Sequence, residues 1–209
     1  MPEVFVSAVS SELRELRKLV AEEVEKLGYQ PVFQDGFDTE QGDLHQVLRR
    51  KIDRCEGLIH LVGLAYGEEP TTPEPSTARL SYTQYEFQYA STSAHKKTWV
   101  IFVEQGCTRT PEKRLDKPPV GHPRPEEYQR ERWQLQEAWR QRLRDGNHIW
   151  YTVSSDASLQ VRIRDAHPEL NVLARRRNHR RLAVWAVVGA AILAGIGVAA
   201  WSVRYFQAQ

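Results

Sequence analysis

The chain has 209 residues, 29 Lys plus Arg against 27 Asp plus Glu, and 41% hydrophobic residues. That length suits one domain with an appendage, and a formal charge of +2 gives no basis for nucleic-acid binding over the whole surface. Two cysteines, Cys55 and Cys107, are too few for a disulfide framework and lie in no metal-ligand spacing, so a reducing compartment fits and no metal is expected.

The N-terminus, MPEVFVSAVSSEL, lacks the basic and apolar regions of a secretory signal. Residues 4–7 (VFVS) read as a first strand. Ser10 and Ser11 are N-cap candidates for a helix in which Leu13, Leu16, Val20, Val24 and Leu27 recur at helical spacing, and Gly28 is placed to stop it. A second strand (QPVF, 30–33) leads through the loop QDGFDTEQGD to a helix whose Leu44, Val47, Leu48 and Ile52 face one way. Residues 57–63, GLIHLVG, are almost continuously apolar, as expected of a strand buried on both faces of a parallel sheet. SYTQYEFQYA opens a third helix and TWVIFVE (98–104) is a fourth strand. The stretch 105–123 is long for a connection and reads as a mobile surface loop, the default, or as a binding element. Then come a helix opened by Pro125 with Tyr128, Leu135, Trp139 and Leu143 on one stripe and solvated charge elsewhere, a fifth strand (HIWYTV, 148–153) and a last amphipathic helix before Pro168. The alternation predicts an α/β domain with a parallel sheet of about five strands.

The tail differs. Residues 182–203, LAVWAVVGAAILAGIGVAAWSV, carry no charge over 22 positions, and about 20 suffice for a helix to cross the bilayer core. Trp185 and Trp201 stand near its ends, where amphipathic rings favour the headgroup region. Arg175, Arg176, Arg177, Arg180 and Arg181 precede it and only Arg204 follows, which predicts a single-pass inner-membrane protein with its head in the cytoplasm. The expected organisation is an α/β domain over 1–167, a basic juxtamembrane linker over 168–181, a transmembrane helix over 182–203 and a short tail, 204–209. The bilayer is thus one partner.

The opening VFVSAVSSELRELRKLVAEEVEKLGYQPV, the block IDRCEGLIHLVGLAYG, the phrase SYTQYEFQYA and the strand WVIFVE resemble the uncharacterised TIR-like family found at the front of bacterial multidomain proteins, over roughly residues 2–165. The resemblance implies a three-layer, flavodoxin-like fold. It further implies a signalling or immune-effector module acting through self-association as a homo-oligomer, with any sensor on a separate protein or a further region. A subset of TIR domains cleaves NAD at the nicotinamide bond with a glutamate five residues after a serine, and Ser81 and Glu86 stand at that spacing. Glu86 is therefore the catalytic candidate, with NAD as substrate and no cofactor required. A nucleoside deoxyribosyltransferase, of similar fold and also using a glutamate, is a related alternative, and membrane disruption by the tail another. The plainer account is that Ser81 and Gln84 form a capping box and Glu86 is a solvated helix residue. Ser7 and Ser10, near the carboxyl end of the first strand, Asp35, at a turn, and Ser81 are substrate-binding candidates beside the same cleft. His60, inside an apolar strand, reads as a hydrogen-bonded core residue.

Overall fold

The computed structural model describes residues 1–33, 44–70, 79–92, 96–111 and 114–172. Five strands and five helices alternate: β1 (Glu3–Ser7), α1 (Ser10–Lys26), β2 (Gln30–Val32), α2 (Leu44–Arg54), β3 (Gly57–Val62), α3 (Tyr82–Thr92), β4 (Lys97–Val103), α4 (Pro125–Asp145), β5 (Trp150–Val153) and α5 (Asp156–Asp165). All four strand pairings are parallel, in the order β2-β1-β3-β4-β5. This is the flavodoxin-like order. Its chain reverses direction across the sheet between β1 and β3, so the loops leaving those strands diverge and open a crevice at their carboxyl ends.

Every residue of β3 is buried, as its unbroken apolar run requires. Phe5, Leu58, Val62, Val100 and Phe102 pack with Leu48 and Ile52 of α2, Tyr85 and Phe87 of α3, and Trp139 and Leu143 of α4. The opposite side of the sheet belongs to α1 and α5, which Glu23 ties together by accepting from Gln160 (3.1 Å) and Arg164 (2.9 Å). Gly28 does end α1, at φ 85°, a backbone that glycine adopts without strain. The start of α1 departs from expectation, since its N-cap is Val9 and no side chain caps it. Ser10 is already inside the helix, its Oγ accepting from Arg17 Nη1 at 3.0 Å.

Two further expectations give way. The described part of the 105–123 connection is pinned rather than mobile by default: Thr110 N–H donates to Glu12 O (3.0 Å), Thr108 N–H to Asp156 (2.8 Å), and Leu115 is buried against Val9 and Ala65. On α4, Arg132, Gln136 and Arg140 are buried beside the apolar stripe instead of joining the solvated face. No described helix is long and apolar enough to cross a membrane; the segment 182–203, with its flanking Arg175, Arg176, Arg177, Arg180, Arg181, Trp185 and Trp201, lies outside the described residues.

Candidate functional site

The β1–β3 register pairs Ser7 with His60, so their side chains leave the sheet on the same face, toward α3. There Ser7 Oγ donates to Glu86 Oε2 at 2.6 Å and lies 3.1 Å from His60 Nδ1. On the far side of the imidazole, Trp139 Nε1–H of α4 donates to His60 Nε2 at 3.3 Å. An indole nitrogen can only donate, which makes Nε2 the acceptor and leaves the ring proton of the neutral imidazole on Nδ1. The hydrogen bonds therefore run one way, from Trp139 through His60 and Ser7 to the Glu86 carboxylate.

Burial sets the charges in this chain of contacts. Removal from water holds His60 down to about 3, so its ring is neutral at physiological pH. The same burial pushes Glu86 up to about 7, opposed by the Ser7 hydroxyl and by the charge of Arg17. Phe87 stacks on the His60 ring at 5.1 Å between centroids, and Trp139 meets it edge-on. Glu86 is only 1% exposed, so it is not the solvated helix residue of the plainer account. Its second oxygen, Oε1, is buried without a hydrogen-bond partner among the described residues. A carboxyl poised near neutrality with one uncommitted oxygen is a group able to take up a proton or stabilise a cation.

Beside it lies a cleft of about 870 Å³ at the carboxyl ends of β1 and β3. Ser10, Tyr82 and Thr83 contribute to its wall, and Thr83 O also lies 3.4 Å from Ser7 Oγ. Glu86 stands behind that wall rather than in the opening. Ser81 stands just before α3 with one half of the expected capping box: its N–H donates to Gln84 Oε1 at 3.4 Å, while its hydroxyl meets Thr83 Oγ1 at 3.2 Å instead of the Gln84 amide. Asp35 lies outside the described residues. Among the described residues no group of three His, Cys, Asp or Glu side chains is arranged to hold a metal ion.

Sequence reasoning passed over several groups that build this region. Glu12 accepts from the N–H groups of Leu64 (2.8 Å) and Ala65 (2.7 Å) and from Arg109 (3.2 Å), fixing the loop that leaves β3. Desolvation raises its carboxyl above the usual range, against the lowering effect of those amides. A Cβ at Gly63 would overlap this carboxylate, which is why a glycine ends the strand. Gln136 Nε2 and Arg140 Nη1 donate to Gly63 O at 3.0 and 2.9 Å. The available signal was the spacing of Arg132, Gln136 and Arg140 at four-residue intervals, which sets all three along one side of α4 next to Trp139 and Leu143.

No functionally curated protein matches the chain. Residues 3–167 match the family model described as a domain of unknown function, DUF4062, and that span takes in β1 through α5. The chain belongs to the DUF4062 family.

Proposed function

We propose that this chain is a membrane-anchored effector module of TIR-like kind, whose head self-associates on the bilayer and, once clustered, cleaves the N-glycosidic bond of a nicotinamide dinucleotide with Glu86. The observation that carries the reading is the buried carboxyl of Glu86, held near neutrality behind the cleft at the β1–β3 crossover and oriented by Ser7, His60 and Trp139.

The chemistry balances on these groups. The C1′–N bond breaks with its electron pair going to nicotinamide, which leaves neutral, and the ribose becomes an oxocarbenium-like cation. Ionised Glu86 stabilises that charge; water then forms the C1′–O bond and gives its proton to the carboxylate, a transfer for which a pKa near the working pH is well suited. Ser7 keeps one carboxylate oxygen fixed, so the uncommitted Oε1 is the one directed at substrate. Because Glu86 is covered in this conformation, the wall at Tyr82 and Thr83 must open, and assembly or ligand binding would supply the free energy. Self-association is supported by β5, an edge strand that exposes Trp150 beside the exposed Ile149. The anchor rests on the uncharged segment 182–203.

The test places the full chain in vesicles at rising surface density with NAD and follows nicotinamide release. Release should climb with density and vanish in Glu86→Gln. No release from wild type at any density defeats the cleavage reading, and equal release from Glu86→Gln removes Glu86 from it.

A further inference from the structure

The loop after β3 presents four consecutive backbone N–H groups, and all four end on carboxylates. Leu64 and Ala65 donate to Glu12 Oε2, while Tyr66 and Gly67 donate to the two oxygens of Asp116 at 2.8 and 2.9 Å. The two acids differ in setting. Glu12 is enclosed, whereas Asp116 is half-buried and faces the cleft. Arg14, Arg114, Lys117 and Arg132 line the same cleft, Arg132 being held by Gly67 O and Glu69. Two glutamates also line it: Glu69 is paired with Arg79 and Arg132, and Glu68 is exposed. Ser10 and Ser11, in the first turn of a helix that no side chain caps, line the same opening.

A carboxylate that accepts from two successive amides with both oxygens, in a cleft whose wall also carries basic side chains, sits as a bound oxyanion would. Asp116 reaches this position with φ at 44°, a left-handed backbone that costs a non-glycine residue free energy and is retained here by the two amide contacts. Gly67, at φ 87°, supplies the turn that aims its amide alongside that of Tyr66.

We infer that the Tyr66 and Gly67 amides, with Arg14, Arg114 and Lys117, form a phosphate-binding subsite whose built-in occupant is the Asp116 carboxylate. A ligand's phosphate or pyrophosphate group displaces Asp116, takes over both amides and gains the cations. Asp116 then swings out and sheds its strained backbone. The subsite deepens the dinucleotide reading by giving the pyrophosphate a place, yet it is tested apart from cleavage.

Two accounts of Asp116 predict opposite results. A residue that merely ties down the loop would, when removed, loosen the site and weaken whatever binds there. A competitor, when removed, strengthens binding. Inorganic pyrophosphate is titrated calorimetrically into the detergent-solubilised full chain at fixed salt, with amide resonances followed in parallel. Asp116→Asn should bind roughly tenfold more tightly than wild type, as expected when a self-occupied state is lifted. Arg114→Ala combined with Lys117→Ala, both exposed positions, should weaken binding by roughly tenfold or more. In wild type, pyrophosphate should move the Tyr66 and Gly67 amide signals more than those of Leu64 and Ala65, a readout that needs no variant to fold. Unchanged or weaker binding by folded Asp116→Asn, or amide shifts that spare Tyr66 and Gly67, overturns the proposal. ADP and phosphoinositide vesicles are run beside it: binding of the first alone assigns a soluble nucleotide-type ligand, binding of the second alone a lipid headgroup, and binding of neither defeats the subsite. Pyrophosphate binding without nicotinamide release keeps the subsite and sinks only the cleavage reading.

Discussion

Replacing Glu86 with Gln keeps an oxygen to accept from Ser7 but removes the titration, and the consequence can be worked out from two buried groups that pull in opposite directions. Glu86 sits at about 7 in the fold against an ordinary 4.5. From pH 4.5 to about 7 the folded chain therefore holds a proton that the unfolded chain has released, and stability falls as pH rises. His60 sits at about 3 against an ordinary 6.5. From about 3 to 6.5 the unfolded chain binds a proton that the folded chain refuses, and stability rises with pH. In wild type the two slopes oppose each other between 4.5 and 6.5 and nearly cancel. The Glu86 interval spans about 2.5 pH units, which at about 1.4 kcal/mol per unit corresponds to about 3.5 kcal/mol, of which about 3 kcal/mol falls between about pH 4.5 and 8 because the unfolded carboxyl is already half ionised at 4.5. Urea unfolding of wild type and Glu86→Gln in the same detergent, followed by tryptophan fluorescence at about pH 4.5, 6 and 8, gives the difference between the two stabilities. That difference should move in favour of the variant by about 3 kcal/mol from the lowest pH to the highest, since all other titrating groups cancel in it. A flat difference curve would mean that the Glu86 carboxyl is not held near neutrality by burial, and both the relay and the cleavage reading would lose their basis.

Trp139→Phe removes the only donor found for His60 Nε2 among the described residues, leaves a buried acceptor unsatisfied and should cost about 1–3 kcal/mol. The nitrogen-15 shifts of His60 should at the same time lose their preference for the Nδ1–H form; a retained tautomer with unchanged stability would refute the directional relay. Gly63→Ala drives a methyl into the Glu12 carboxylate and should destabilise the domain by about 1–3 kcal/mol while accelerating hydrogen exchange at Leu64 and Ala65. Undiminished protection at those two amides would show that Glu12 does not hold the loop.

Strand and helix order, the parallel sheet and the stop at Gly28 were all readable in advance, because each is written in local periodicity and in the burial demanded by a run such as GLIHLVG. The uncharged tail is a property of composition over a short window, and the anchor proposed from it lies outside the described residues. Glu86 could be singled out only through the resemblance to TIR domains, which its spacing from Ser81 matches, and its environment could not be read at all. Only the β1–β3 register brings Ser7 beside His60, and only α4 folding back over that face brings Trp139 to the imidazole, across a separation of 79 residues. Glu12 and Asp116 were invisible for the same reason: a carboxylate on a helix or in a loop reads as solvated until a distant loop turns its amides toward it. Local sequence determines where the chain is helical, extended or apolar, since those preferences act over a few residues. The protonation of a carboxyl, the tautomer of an imidazole and the occupant of an amide pair depend on desolvation and on partners met only when remote segments close on one another.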